Sequence, residues 1–160
     1  MENKKNLRRI LGMLLVFGFM LVGCDNGTTS NAAIFDGVWG YNGAILTLSN
    51  GNFEMSLDGI PFSRGGFSTS GNNITFHGGQ FNIIGYDADA LGIAPGWYSR
   101  NALISALQNS SVVKEVITNT HTVEAIYGSG DSWSFDFSPS VGVVSGNTLN
   151  LEGMIFTKGN

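Results

Sequence analysis

Apolar and polar residues alternate with a period of two over much of this chain. Phe53, Met55 and Leu57 interleave with Glu54, Ser56 and Asp58, which puts the apolar side chains on one face of a strand. An earlier run, 44–48, is separated from this one by Ser49-Asn50-Gly51-Asn52. Asn-Gly between two such runs predicts a hairpin with a type I′ turn, because both residues tolerate positive φ. Further strands are predicted over 120–127, 132–137, 141–145, 148–151 and 154–158, for a total of nine or ten short strands.

The same grammar recurs at a distance. Residues 70–81 read SGNNITFHGGQF and residues 145–156 read SGNTLNLEGMIF, identical at five of twelve positions, with Gly78 matching Gly153 and Phe81 matching Phe156. Either an internal duplication or the small alphabet of turn chemistry accounts for the match; both segments are predicted as turn, strand, turn, strand. One region breaks the period. Ala102, Leu103, Ala106 and Leu107 have helical spacing, and Ser99 stands where a helix cap belongs, so a short helix is predicted over 100–109. The following Ser-Ser-Val-Val-Lys-Glu-Val-Ile, 110–117, is read as a second helical turn, although four β-branched residues among its last six favour extended chain.

So many sequential hairpins close into a barrel or fold as a two-layer sandwich, since an open sheet leaves its edges bare. The expected fold is all-β, an antiparallel up-and-down β-barrel with one short helical insertion, with a β-sandwich as the alternative. Gly37-Val38-Trp39, just inside the folded region, resembles the Gly-x-Trp signature that opens the first strand of lipocalins. That resemblance implies that Trp39 packs across one end of a barrel. It also implies either a small apolar ligand inside the barrel or a packed scaffold without one. The chain departs from the family in placing its helix before the last strands instead of after the eighth.

The amino terminus carries a different signal. Lys4, Lys5, Arg8 and Arg9 precede an apolar run from Ile10 to Val22, which is too short for a stable span. Leu21-Val22-Gly23-Cys24 then resembles the lipobox of bacterial lipoproteins. In that family the peptidase cuts before the cysteine, whose sulfur carries diacylglycerol, and the new amino group is usually acylated, commonly with palmitate. The resemblance implies a signal peptide over 1–23, lipidation of Cys24, a tether over 24–33 and a folded domain over 34–160. The protein would then be held by its lipid on the inner or outer membrane of the cell envelope, with its domain in the periplasm or at the cell surface. Asp25 resembles the inner-membrane retention residue of some enteric bacteria.

Charge and candidate chemistry narrow the function. Without residues 1–23 the chain keeps four basic residues against eleven acidic ones, a net charge of −7. Arg64, Arg100, Lys114 and Lys158 are too few and too scattered in sequence for a nucleic-acid footprint. The 137 remaining residues suit one domain and a monomer, with a core built by apolar burial alone, because Cys24 is the single cysteine. His77 and His121 read as surface residues of strands, and no strained nucleophile elbow is present. Asp87, Asp89 and Gly92 begin like an EF-hand loop, but Leu91 and Tyr98 occupy ligand positions five and twelve. Gly128-Ser129-Gly130 reads as a hairpin turn. No catalytic residue, metal site or cofactor is therefore expected. Trp97 and Tyr98, after Ala94-Pro95-Gly96, are placed on a long irregular connection, where binding residues concentrate. They are the candidate contacts for a small apolar ligand. The alternative function is adhesion, with exposed aromatics on a β-sandwich recognising glycan or protein.

Overall fold

The computed structural model describes residues 32–128 and 130–159, so the signal segment 1–23, Cys24 and the tether as far as residue 31 lie outside the described residues. The described chain opens with one helical turn, α1 (Ala32–Phe35). Strands β1 (Gly37–Tyr41), β2 (Ala44–Ser49), β3 (Asn52–Leu57) and β4 (Ile60–Ser70) follow, with only Asn42-Gly43, Asn50-Gly51 and Asp58-Gly59 between them. Both residues of each turn have positive φ, from 45° to 83°. This is the type I′ geometry, whose twist matches that of the flanking strands. Gly71-Asn72 turns the chain into β5 (Asn73–Phe76).

A long excursion comes next: β6 (Gln80–Ile83), α2 (Gly85–Leu91), β7 (Gly96–Ser99), α3 (Arg100–Gln108), β8 (Val113–Thr118), β9 (Thr122–Tyr127) and β10 (Asp131–Asp136). The chain then returns through β11 (Ser140–Ser145), β12 (Thr148–Leu151) and β13 (Met154–Lys158), joined by Gly146-Asn147 and Glu152-Gly153. All pairs are antiparallel, running β1-β2-β3-β4-β5-β11-β12-β13, and Trp39 opposite Lys158 joins the last strand to the first. The fold is thus all-β with a closed, up-and-down, eight-stranded barrel, and the sandwich alternative falls away.

An eight-stranded barrel is just wide enough for side chains to fill it or to hold one small ligand. Here alternate residues fill it: Trp39, Leu46, Leu48, Phe53, Ile74, Phe76, Leu149 and Phe156 are all buried in one cluster, and Phe35 of α1 joins them. Phe53 meets Phe76 edge to face at 5.2 Å, and Tyr41 tilts against Phe156 at 5.6 Å. Each such side chain contributes about 1.5–3 kcal/mol through burial. Trp39 is wholly buried, and its indole N–H donates to the Phe35 carbonyl at 2.9 Å. Over that ring, at 5.2 Å, lies the Lys158 ammonium, which donates to the Ile34 carbonyl at 2.9 Å. One residue from the start of the barrel and one from its end therefore clasp α1.

The excursion is larger than the single short helix expected. It builds a lobe with its own core, in which Leu91, Leu103, Leu107, Val123 and Phe135 are buried. The three-stranded sheet β10-β9-β8 packs with both helices there. Residues 113–118 form strand β8 instead of a helical turn, so the β-branched residues prevail: Val113 and Val116 pack on the lobe core. Ser110, not Ser111, organises the entry, its hydroxyl donating to the Leu91 carbonyl and accepting from the Val112 and Val113 amides. Asp87 and Asp89 lie in α2, not in a loop; Ala88 and Leu91 bury one face of that helix and Gly92 ends it at φ 61°. With these additions the described residues contain thirteen strands.

The two cores separate at a fork. Residues 70–81 were expected to contain a hairpin turn like the one at Glu152-Gly153, but β5 and β6 lie along the same edge of β4. Phe67 pairs with Phe76 and Arg64 with Gln80, so His77-Gly78-Gly79 takes up a one-residue slip in register, a bulge. Beyond it β5 goes on to β11, whereas β6 goes on to β7. A Cβ on Gly78 would stand 2.1 Å from the Phe137 carbonyl oxygen, and one on Gly79 would stand 1.8 Å from that of Arg64. Backbone meets backbone here, and no side chain fits.

Replacing Gly79 with Ala should lower stability by at least about 3 kcal/mol or prevent folding. Gly40→Ala, where nothing lies within 4 Å of the added carbon, should stay within about 0.5 kcal/mol of the parent. Denaturant midpoints of the two variants make the comparison.

Candidate functional site

The fork is where polar side chains converge. Two open clefts meet at Gly79, one of about 410 Å³ and one of about 380 Å³. The first is walled by Gly78 and Gly79 of the bulge, Ser99, Arg100 and Asn101 at the start of α3, His121 of the β8–β9 turn, and Phe137 with Pro139 on the returning chain. The second takes Arg64, Gly65 and Gly66 from β4, Gln80 from β6, and Asn52 with Phe53 from β3. Neither set of lining residues contains a carboxylate.

Arg64 and Gln80 are cross-strand partners, which explains the 2.7 Å bond that the arginine Nε donates to the glutamine Oε1. The same guanidinium lies 4.2 Å above the Trp97 ring, a cation–π contact. Trp97 and Tyr98 belong to strand β7, paired with Asn82 and Phe81, and not to an irregular connection. Successive residues of a strand face opposite sides. Trp97 accordingly lies under Arg64, while Tyr98 packs against the lobe core and its hydroxyl donates to the Ala94 carbonyl at 2.6 Å. The two rings do not form one platform.

Arg100 follows β7 directly and opens α3. Its Nη2 donates to the Asn119 carbonyl, and its Nε is buried with no hydrogen-bond partner among the described residues. Asn119 is well placed for this because its own side chain shapes the turn: Oδ1 accepts from the His121 amide at 3.0 Å and the Thr122 amide at 2.8 Å. Ser99 takes the N-cap position expected of it, yet its side chain makes no capping bond.

Neither histidine lies in a strand. His77 sits in the bulge, its Nε2 3.0 Å from the Ser68 hydroxyl, and His121 sits in the turn leading to β9. The sequence pattern misplaced both because it shows neither the bulge nor the turn that Asn119 makes. Among the described residues no group of three or more His, Cys, Asp or Glu side chains is positioned to hold a metal ion. Trp39 lies in β1 under Lys158 as described, whereas Cys24 is outside the described residues. Glycines 128 and 130 lie within the connection between β9 and β10, at whose ends Tyr127 pairs with Asp131.

Arg64 and Arg100 lie far apart in sequence, and the fold sets one in each cleft. A usable sign is the pair of doublets, Gly65-Gly66 and Gly78-Gly79: glycine inside a strand pattern marks close approach of another backbone. Comparisons with protein-family models, with curated proteins and with solved structures find no match to this chain.

Charge also links barrel and lobe on the acidic side. Partial desolvation of Glu152, an exposed residue of the β12–β13 turn, raises its carboxyl above the ordinary 4.5, and the negative charge of Asp136 at the end of β10 adds to the effect. In the window from 4.5 to that raised value the folded protein binds more protons than the unfolded chain, so stability falls as pH rises through it. Glu152→Gln should therefore raise the melting temperature near pH 7, change it little near pH 4, and flatten the slope between. Thermal melts across that range check the sign.

Proposed function

We propose that this protein is a non-enzymatic, lipid-anchored lipoprotein of the bacterial cell envelope, in which a packed barrel carries a recognition lobe directed away from the membrane. The observation that carries this reading is Leu21-Val22-Gly23-Cys24 placed directly after a basic and then an apolar segment. One acyl chain anchors only marginally, and the two or three that this processing supplies anchor stably. The reading holds for either membrane, with the domain in the periplasm or on the cell surface, acting as a monomer without a cofactor.

Topology supports the orientation. The described chain enters through α1 at one end of the barrel, and five strands, an odd number, run up and down before the lobe begins. The chain thus departs toward the end opposite α1. A tether from Cys24 would hold the α1 end toward the lipid and leave the fork facing outward. Packing supports recognition outside the barrel. A small apolar ligand inside it would have to displace Trp39, Phe53, Phe76 or Phe156, and displacing one such side chain forfeits about 1.5–3 kcal/mol. The adhesion reading survives in altered form: the Arg64–Trp97 stack offers a half-buried aromatic for glycan or protein contact, on a barrel instead of a sandwich.

Bacteria expressing the full chain and fed labelled palmitate should yield a labelled membrane-bound protein. Inhibiting the lipoprotein signal peptidase should leave a larger precursor, and Cys24→Ser should lose both label and membrane retention. Label retained by the serine variant would sink the reading.

A further inference from the structure

We propose that the cleft at the start of α3 binds an oxyanion, the phosphate or carboxylate group of a small molecule, with Arg100 as its principal charge. The proposal is independent of the lipid anchor. Its first support is distribution of charge. Residues 24–160 carry a net −7 and only two arginines, and both arginines line the clefts that meet at Gly79. The cleft around Arg100 is lined by no carboxylate, whereas Arg64 has Glu54 as its cross-strand partner, so Arg100 is the guanidinium left for an anion from outside.

Arg100 itself lacks compensation. Among the described residues its one hydrogen bond goes to a neutral carbonyl, that of Asn119, and its Nε is buried without a partner. A partly desolvated cation with no counter-charge is costly, and an incoming oxyanion would offset that cost. The Asn119 contact also fixes the guanidinium in place, so little further ordering is needed on binding. Two more elements border the same space. His121 lines the cleft, and α3 begins there with Ser99, Arg100 and Asn101, its first turn left uncapped by the Ser99 hydroxyl. Uncapped first-turn amides carry a partial positive charge of about half a unit and favour anions.

The wall opposite completes the site. Gly78 and Gly79 have no side chains because the fork excludes them, so the cleft is bounded there by backbone alone. The cleft is open and about 410 Å³ in volume, which is room for a small oxyanion. Phe137 and Pro139 add an apolar edge suited to the organic remainder of such a ligand. A polymer of phosphates would find too few cations around the cleft for a track.

The test uses the full-length protein in mild detergent, with inorganic phosphate as probe and ionic strength held constant with sodium chloride so that screening is not mistaken for binding. Phosphate should raise the melting temperature saturably and shift the amide resonances of Gly78, Gly79 and Asn101. Arg100→Gln should weaken phosphate by about tenfold to a hundredfold, the range for losing charge-assisted hydrogen bonds. Arg100→Lys should recover part of the affinity, and Arg64→Gln, in the other cleft, should change it little. His121→Asn, which leaves the Asn119–Arg100 contact in place, should weaken phosphate severalfold and serves if Arg100→Gln fails to fold. Acetate in place of phosphate distinguishes a phosphate site from a carboxylate site by which of the two saturates at lower concentration. The proposal is overturned by wild-type protein that shows no saturable effect of either anion, by amide shifts confined to other regions, or by Arg64→Gln weakening phosphate as much as Arg100→Gln does.

Discussion

At Gly79 two stretches of backbone come so close that an added Cβ would stand 1.8 Å from the Arg64 carbonyl oxygen. The rest of the architecture depends on that approach. It lets β5 and β6 run along one edge of β4 with a single slip in register. On one side of the slip β11 continues the barrel, and on the other β7 starts the lobe. A residue with a side chain at Gly78 or Gly79 would force β4 away from its partner or push the returning chain at Phe137 outward. Closing the barrel and projecting the lobe are therefore one steric problem with one solution.

The lobe is accordingly part of the barrel wall as well as an attachment to it. The first half of β4 pairs with β3 on one edge, and its other edge is met at Ser63 and Arg64 by β6. Without the lobe, that edge of β4 would be open, the kind of unpaired row that invites another chain. At the opposite end the clasp of Trp39, Lys158 and α1 closes the barrel where the chain enters. The two ends are thus closed by different means, one by a buried indole and a lysine, the other by inserted secondary structure.

Much of the barrel was legible because its hairpins are local. Asn50-Gly51 between alternating runs identifies its turn type from four residues, and the observed φ values agree. The helix over 100–109 was equally readable, since Leu103 and Leu107 bury one face at helical spacing. What was illegible is non-local. The match between 70–81 and 145–156 holds for the turns at Gly71 and Gly146, with φ of 57° and 58°, and then fails at Gly78, which meets Phe137 in the returning chain after β10. Phe81 and Phe156, matched in sequence, pack in different cores. In 113–118 the β-branched composition was the better guide, and the serines before it misled because Ser110 bonds to Leu91, nineteen residues away. The candidate site suffered most. Trp97 and Tyr98 are adjacent in sequence but opposed in space, whereas Arg64 and Arg100 are distant in sequence and neighbours of one bulge.

A filled barrel also constrains where specificity can reside. Side chains in its interior interlock, so a ligand there would have to be bought with lost packing, while the outer wall of β1, β2, β11 and β13 exposes Val38, Ile45, Val141, Val143 and Ile155 without a charge among them. Such a wall can contribute contact area but little directional recognition. The polar groups able to recognise a ligand by geometry are instead concentrated where the regular hydrogen-bond ladder is interrupted, at the bulge, the first turn of α3 and the Asn119 turn. That coincidence has a physical cause. Within an unbroken ladder the backbone groups are already paired with neighbouring strands, so an interruption is where backbone amides and carbonyls turn to other partners. The slip that makes the fork possible is thus the same feature that makes a polar cleft possible.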